Sequence, residues 1–518
     1  MMIKKYLRYS LAITIAFGLN ACGDFLTEEN PNSPNTESYY KVEAELVQAV
    51  NGTYATLQRQ NLYKRQYNTI GYLGGDFFPT DGAGSWSTLY YFDINPNTSD
   101  FVSSSWPDLY LGVARANNAL EVLEAASDDV ISPEKKARLL GEAHFLRGLF
   151  YFHLVTIYGS VPYIDHVVKD KTDAEFKPAK VDVAVLWDKI EEDFETAVTL
   201  LPKFDAYEGE DIGRASKGSA QGFLGKAHVY QKDWAAAVTV LGDLVNSPAV
   251  YGAYDLVPNY SDNFTAVNEN NVESLFEVQF VNGFGFEWGG DDNGGDTEGG
   301  MFGTHFSPYQ FGNARPSDEV NAFFDANLTG TDVRRFYTIA RVGDDWNGQT
   351  VYLSDDETTG DAPDGEPAFS PRIRNSGGDS GIRKYVDGTA EPNLNSDNNI
   401  RLMRFADVLL LYAEALNNTG STSAAYGPLN RVRTRAGATA LTAGSDENAL
   451  AAQIKTERRL ELTFEGFRFL DMVRWGDIGG STSFTDRGFE ANKHETLPIP
   501  ASDLLVNENL KQNDAYLQ

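Results

Sequence analysis

Three tryptophans in loop-rich segments are the residues best suited to hold a ligand. Trp86, Trp288 and Trp346 stand among glycine, aspartate and asparagine residues, with few apolar neighbours that could bury them. An indole is a flat, rigid, amphipathic surface that can stack on the apolar C–H face of a sugar ring. Nearby carboxylates and amides, such as Asp81, can bind the hydroxyl groups at the rim of that ring. These four residues are the predicted ligand-binding residues, and the alternative is that each ring only fills its own loop.

The other tryptophans and the histidines favour structural roles. Trp187, Trp234 and Trp475 lie in helical patterns that predict core positions, and Trp106 at a helix start fits either role. The histidines show no metal-ligand spacing; they are His144, His153, His166, His228, His305 and His494. His144 and His153 fall on a helix that should be buried, so we expect them to be hydrogen-bonded core residues.

The sequence indicates no catalytic residue and no cofactor. It contains no G-x-S-x-G, H-E-x-x-H or P-loop motif. With 74 acidic residues, the carboxylate pairs that glycoside hydrolases use can be found anywhere, so they decide nothing. A structural calcium ion is a further possibility, because acidic loops offer oxygen ligands. Those loops are Asp291-Asp292-Asn293 with Asp296, Asp344-Asp345 and Asp355-Asp356. None of these loops has the spacing of EF-hand ligands, and the alternative is that they are solvated acidic loops that bind no metal ion.

Charge and cysteine content restrict the partners. The chain has 43 Lys+Arg against 74 Asp+Glu, a net charge of −31. This balance disfavours DNA, RNA or an anionic lipid surface, since each would be repelled. A single cysteine excludes an internal disulfide and a cysteine-based zinc site.

That cysteine follows a predicted secretion signal at residues 1–21. Lys4, Lys5 and Arg8 form a positive region, and residues 11–19 are an apolar stretch too short to span a bilayer. The cysteine itself, Cys22, stands in the sequence LNAC, which resembles a bacterial lipoprotein box with an unusual Asn20. Lipidation of Cys22 is therefore predicted, and ordinary cleavage after Ala21 is the alternative. Residues 22–40, rich in proline, asparagine and acids, are a predicted tether.

Residues 132–162 predict the central helix on which the rest of the chain is built. Ser132 can cap its start, Pro133 suits the first helical position, and Gly159 and Pro162 end it. From Phe145 to Tyr158 the helix is apolar almost all round, so other elements must enclose it.

Further helices are predicted at residues 41–58, 106–126, 181–201, 215–247, 401–435 and 446–475. The small and aromatic residues of 215–247 and 401–435 follow the rhythm of tetratricopeptide helix pairs. Residues 60–105 and 250–400 contrast with this pattern, because short β-like runs such as 274–280 alternate with glycine- and aspartate-rich stretches. The predicted fold is therefore mainly α: a tetratricopeptide-like scaffold with a large loop-rich, partly β insert that forms the ligand face. One domain, 41–518, would comprise helical parts at 41–249 and 401–518 around the loop-rich part 250–400.

Seven stretches in order resemble the SusD/RagB family of Bacteroidetes outer-membrane lipoproteins. They are LNAC followed by DFL, RANNAL at 115–120, GEAHFLRGLFYFHLVTIYGSVP, RFADVLLLYAEALN, LNRVRTRAG, ERRLELTFEGFRFLDMVRWG, and LPIP with QNDAY near the end. The resemblance spans nearly all of the chain after the leader. It implies a helical scaffold, a loop-built ligand face, and a TonB-dependent outer-membrane barrel of the SusC type as partner.

Three functions are compatible with this resemblance. The first is a cell-surface lipoprotein that binds a neutral glycan, such as laminarin or an α-glucan, and delivers it to the transporter. The second is a peptide-binding lipoprotein like the RagB branch, and the third is a glycoside hydrolase on a helical scaffold. Loop aromatics beside Asp and Asn favour a sugar over a peptide as the ligand, and release of new reducing ends would separate a hydrolase from a binding protein.

Overall fold

The computed structural model describes residues 39–97, 100–281, 299–308, 311–346, 348–353, 372–373, 379–386 and 396–517. The predicted leader, Cys22, nearly all of the tether and Trp288 lie outside these residues. The longer helices are α1 Glu43–Leu57, α2 Asp100–Ala125, α3 Pro133–Tyr158, α4 Val183–Leu200, α5 Lys217–Gln231, α6 Trp234–Asn246, α7 Asp318–Asn327, α8 Phe405–Asn418, α9 Thr422–Arg435, α10 Glu447–Leu462 and α11 Arg468–Trp475. Short helices are Ile70–Gly74, Ser87–Tyr90, Pro248–Tyr251, Phe302–Phe306, Arg334–Thr338, Thr482–Thr485 and Ala501–Val506.

The strands are short and pair in twos. They are β1 Phe77–Pro79, β2 Ser274–Val278, β3 Ala314–Pro316, β4 Ile339–Arg341, β5 Asp345–Trp346, β6 Gln349–Thr350, β7 Tyr352–Leu353, β8 Arg372–Ile373, β9 Ser380–Ile382 and β10 Ile400–Arg404. β1 pairs with β3, β2 with β10, β4 with β9 and β5 with β6, all antiparallel, while β7 and β8 are parallel. The predicted mainly α fold is confirmed.

Helix α3 is the central helix that the sequence predicts. The Ser132 hydroxyl accepts a hydrogen bond from the Lys135 backbone N–H at 3.3 Å, and Gly159 ends the helix with a φ of 75°. Nearly every residue from Leu139 to Tyr158 is buried, including Leu154. Helices α2 and α4 pack along it, so the apolar surface on all sides of α3 is covered.

The remaining long helices stack as pairs. Helix α1 packs on α2, α5 on α6 and α8 on α9, and contacts from α4 to α5 and from α6 to α8 join the pairs. The small residues of the tetratricopeptide rhythm permit this close packing. A Cβ added at Gly225 of α5 would lie 2.3 Å from the Cδ2 atom of Leu241 on α6.

Three predicted boundaries are wrong. Residues 401–404, predicted as helix, belong to β10, which pairs with β2; Arg401 forms an ion pair with Glu277 of β2, and Arg404 forms one with Glu273 just before that strand. The predicted helix 446–475 is two helices, since Phe464 (φ 67°) and Gly466 (φ 85°) break it. The helix predicted from Trp106 begins at Asp100, with Pro107 inside it.

Helices α8–α11 and strand β10 enclose an ion-pair network. The Arg404 guanidinium contacts Glu273 at 2.6 Å, Glu461 at 3.0 Å and Glu465 at 2.7 Å, and these side chains are at most 1% exposed. Burial opposes ionisation of Glu461, but Arg435 and Arg404 outweigh it and lower its pKa to about 2. A second group joins Arg458 to Asp407 and Asp471. These buried charges are paired, as burial in a low dielectric requires.

Candidate functional site

Strand β1 turns one phenylalanine inward and the next one outward. Gly75 takes a left-handed conformation (φ 76°) just before the strand. Successive side chains of a strand point to opposite faces, so Phe77 is buried whereas Phe78 is only partly covered. In the pairing of β1 with β3, Phe78 lies opposite Arg315, whose guanidinium stands 4.2 Å from the centroid of the Phe78 ring.

Phe78, Tyr90 and Tyr91 form a cluster of rings at the surface, which we call the aromatic cluster. The Phe78 and Tyr90 centroids are 5.3 Å apart and those of Tyr90 and Tyr91 are 5.0 Å apart, both edge-to-face. Tyr91 is 50% exposed. Edge-to-face packing holds each ring in place at little cost in side-chain entropy. The cluster is therefore a rigid amphipathic surface that already exists without a ligand.

Arg487 holds the aromatic cluster from below. Its guanidinium lies 4.6 Å from the Tyr90 centroid and donates hydrogen bonds to the backbone carbonyls of Tyr72, Leu73 and Tyr90. Burial lowers the pKa of Arg487 to about 10 and raises that of Tyr90. At neutral pH the Arg487 cation thus lies against the neutral phenol of Tyr90.

Asp81 and Asp318 place carboxylates after strands β1 and β3, Asp81 in the turn that follows β1 and Asp318 at the start of α7. Thr80 is anchored by hydrogen bonds from its backbone N–H and its hydroxyl to the carbonyls of Asn313 (3.2 Å) and Gly312 (2.6 Å). Asp81 follows it and is exposed, and its role as a ligand contact stays a prediction. Asp318 binds Arg315 at 2.7 Å while its own side chain is 88% exposed. Such carboxylates can accept hydrogen bonds from hydroxyl groups.

The predicted exposure of Trp86 is wrong. Trp86 is 4% exposed, with the Arg65 guanidinium 4.8 Å from its centroid and the His305 ring 5.2 Å away. Burial, followed by the charge of Arg65, lowers the pKa of His305 to about 3, so this ring is neutral. Trp86 therefore supports the turn that carries Asp81, and it cannot stack on a ligand in this conformation.

The predicted exposure of Trp346 is also wrong. Trp346 lies in β5, is 3% exposed, and packs with Ala340, Val351 and Val386 in a small hydrophobic cluster of its own. The Arg383 guanidinium lies 4.7 Å from its centroid. The structure does not bring Trp346 to the aromatic cluster, and Trp288, which is outside the described residues, keeps its predicted role as a hypothesis.

Sequence patterns read from the tryptophans alone do not predict the aromatic cluster. The sequence signal that could have indicated it is the pair Phe77-Phe78 in a loop-rich segment. Adjacent residues of a strand face opposite sides, so one of these two rings points away from the core. The predicted core position of Trp187 is confirmed by its burial, and Trp234 and Trp475 pack against the core while partly exposed. Trp106, which the sequence left open between two roles, is buried, and His144 is hydrogen-bonded to Asp193.

The described residues contain neither a metal-binding cluster nor a membrane-spanning helix. No three His, Cys, Asp or Glu side chains among them are arranged to hold a metal ion. Asp344 of the acidic loops is engaged by Arg335, and the other acidic loops, apart from Asp344-Asp345, lie outside these residues. None of the helices described combines the length and apolar composition needed to cross a bilayer.

Two family models and several known proteins match the chain. Residues 249–516 match the model described as the SusD family, and residues 24–230 match one described as "starch-binding associating with outer membrane". SusD-like protein P25 of Formosa agariphila is 27% identical over 539 residues, 97% of each chain. The starch-binding protein SusD of Bacteroides thetaiotaomicron is 25% identical over 474 residues, which are 80% of this chain and 78% of that protein.

A solved structure titled laminarin binding SusD-like protein superposes with a TM-score of 0.74 and 28% identity. It covers 92% of this chain and 100% of that one. Because the SusD model spans half of the sequence and both the relatives and the fold agree with it, the chain belongs to the SusD family.

Proposed function

We propose that this protein is a cell-surface lipoprotein that binds a neutral glycan and passes it to a TonB-dependent transporter of the SusC type. The observation that carries the proposal is the aromatic cluster: a preformed, partly exposed set of rings, with the exposed Asp81 on the turn after β1, on a chain of the SusD family. A glycan offers both the apolar ring faces and the hydroxyl groups that such a surface binds.

A laminarin-like β-glucan is the first candidate ligand. The supporting finding is the solved laminarin-binding relative, which resembles this chain over nearly its full length. An α-glucan is the second candidate, supported by the starch-binding relative at lower identity and coverage. Asp81 and Trp288 remain proposed ligand contacts, joined now by Phe78, Tyr90 and Tyr91.

The affinity for such a ligand should be modest. Each ring removes a small apolar area from water, at about 25 cal/mol per Å². Ordering a flexible glycan opposes that gain. Dissociation constants in the micromolar range or weaker therefore fit the proposal, with most of the binding energy in a few rings.

The anchor and the partner complete the proposed role. A lipid on Cys22, followed by the tether 22–40, would hold the domain at the outer membrane, in keeping with the description of the matching family model. The domain would then present its ligand to the transporter. The protein would act by binding alone, without a catalytic residue or a cofactor, although a structural calcium ion in an acidic loop stays a hypothesis.

Affinity electrophoresis of the purified protein tests this function. Gels containing laminarin, amylopectin or no polysaccharide are run with serum albumin as the non-binding reference. Retardation by laminarin or amylopectin without release of new reducing ends supports glycan binding. Release of reducing ends would instead indicate a hydrolase. Migration unchanged by either glucan, together with saturable binding of a peptide library, would favour the RagB-like alternative.

A further inference from the structure

A groove of about 240 Å³ lies on the helical scaffold, built from α6, α8, α10 and α11 and remote in sequence from the aromatic cluster. The residues lining it include Trp234, Asn417, Lys455 and Trp475. Its volume is below the range of about 300–1,000 Å³ that is usual for drug-sized ligands. A ligand that fills it has the size of a single small ring.

One polar group in the groove lacks a partner. Asn417, at the end of α8, is 1% exposed, and its side-chain N–H donates to the Glu447 carbonyl at 2.9 Å. Its Oδ1 atom accepts no hydrogen bond from any residue that the structure describes. A buried acceptor left alone costs free energy, so the site favours a ligand that brings an O–H or N–H donor.

The charged groups at the base of the groove are already satisfied. The Glu414 carboxylate accepts hydrogen bonds from Arg474 at 2.6 and 2.8 Å and from the Trp475 indole N–H at 2.7 Å. Lys455 pairs with Asp477 at 2.5 Å. These charges are paired within the protein, so the base of the groove is a fixed polar surface that does not require a charged ligand.

The rim combines an aromatic face with a cation. Lys232 takes a left-handed conformation (φ 63°) between α5 and α6, which allows the next helix to begin at Trp234. Trp234 is only partly buried against the core. Within the described part of the chain, the Lys232 ammonium has no carboxylate within 4.0 Å, so it is available as a hydrogen-bond donor.

We propose that this groove binds one pyranose unit, as a free monosaccharide or as the end of an oligosaccharide. The C–H face of the sugar lies on Trp234, a hydroxyl group donates to Asn417 Oδ1, and Lys232 donates to another oxygen of the sugar. This inference does not rest on the aromatic cluster, because the groove shares no residue with it.

Calorimetric titration of the full protein with D-glucose, D-galactose, D-mannose and D-glucuronate tests the groove, with laminaribiose as the oligosaccharide arm. We expect saturable binding of at least one sugar. Trp234→Ala and Asn417→Ala should each weaken it about tenfold or more. Val185→Ala, at an exposed position of α4, is the matched control and should leave binding unchanged.

Melting temperatures of both groove variants accompany the titration, since Asn417 also bonds to α10. If Asn417→Ala unfolds, Trp234→Ala alone decides, because Trp234 is partly exposed. The proposal is overturned if none of these sugars binds at up to tens of millimolar, or if a bound sugar is held equally well by Trp234→Ala.

Discussion

The guanidinium of Arg315 lies 4.2 Å from the centroid of Phe78, across the β1–β3 pair in which the two residues face each other. Asp318 holds that guanidinium from its other side at 2.7 Å. A cation over an aromatic face attracts the ring and fixes its orientation. Arg315 thus determines how Phe78, and through it Tyr90, is presented at the surface.

Replacing Arg315 by alanine should weaken glycan binding without unfolding the protein. We expect a loss of affinity of about twofold to fivefold, because a partly exposed cation–π contact contributes about 0.5–1 kcal/mol to fixing the orientation of Phe78. Calorimetric titration with laminarin measures the effect. Arg341→Ala, which removes the pair with Asp325, is the control; equal losses in both variants would refute a local role for Arg315.

Trp86→Ala should lower the free energy of unfolding. The ring is buried against Arg65, His305 and Phe306, so its removal leaves a cavity. Such truncations cost about 3–5 kcal/mol, which denaturant unfolding would measure. A variant as stable as the parent protein would mean that the ring is not part of the core.

Because His153 is buried in its neutral form, we expect the free energy of unfolding to fall as the pH drops into the mildly acidic range. Its two ring nitrogens lie 2.6 Å and 2.7 Å from the hydroxyl groups of Tyr63 and Tyr67, and burial lowers its pKa to about 3. The unfolded chain binds this proton at a pKa of about 6.5. Stability is therefore complete above that pH and falls as the pH drops from about 6.5 towards 3, by about 2 kcal/mol at pH 5.

Denaturant unfolding at pH 7.5 and pH 5 tests this, with His153→Gln compared to the parent protein. The variant should lose about 2 kcal/mol less between the two conditions. His305 and His494, whose pKa values burial also lowers, contribute equally to both proteins. His166→Gln is the control, because that ring is exposed and Asp165 and Asp173 raise its pKa. The same pH dependence in His153→Gln and the parent would contradict the assignment.

Cys22→Ala should release the protein from the membrane. The motivation is the apolar stretch 11–19 ending in LNAC at the single cysteine. Lipoproteins that carry several acyl chains are firmly attached, whereas one chain alone anchors weakly. Membrane fractionation and electrophoretic mobility are the measurements. A variant that stays membrane-bound and is processed normally would disprove lipidation at this residue.

The sequence predicts the scaffold well where the signals are local. Ser132, Pro133 and Gly159 mark the ends of α3 within the helix itself, and the apolar run between them shows that it is buried. Strand β10 was missed because its partner β2 lies more than 120 residues earlier in the chain, and only that pairing distinguishes Ile400–Arg404 from the start of a helix.

The candidate site was harder to predict, because exposure depends on distant neighbours. Trp86 stands among glycines and serines, yet Arg65 and His305 bury it. Tyr90 and Tyr91 carry no local sequence signal of function; they form a surface because Tyr90 packs on Phe78 and Arg487 and Tyr91 packs on Tyr90. Residue type thus indicated the kind of chemistry, while tertiary contacts decided which rings are available.

The most direct test of the glycan-binding face is a laminarin titration of Tyr91→Ala. Tyr91 is 50% exposed, and its ring packs edge-to-face on Tyr90, which is itself only partly buried, so its truncation removes exposed ring surface without opening a cavity in the core. We predict a loss of affinity of about tenfold or more with an unchanged melting temperature. Laminarin binding at the parent affinity in this variant would contradict the placement of the glycan on the aromatic cluster.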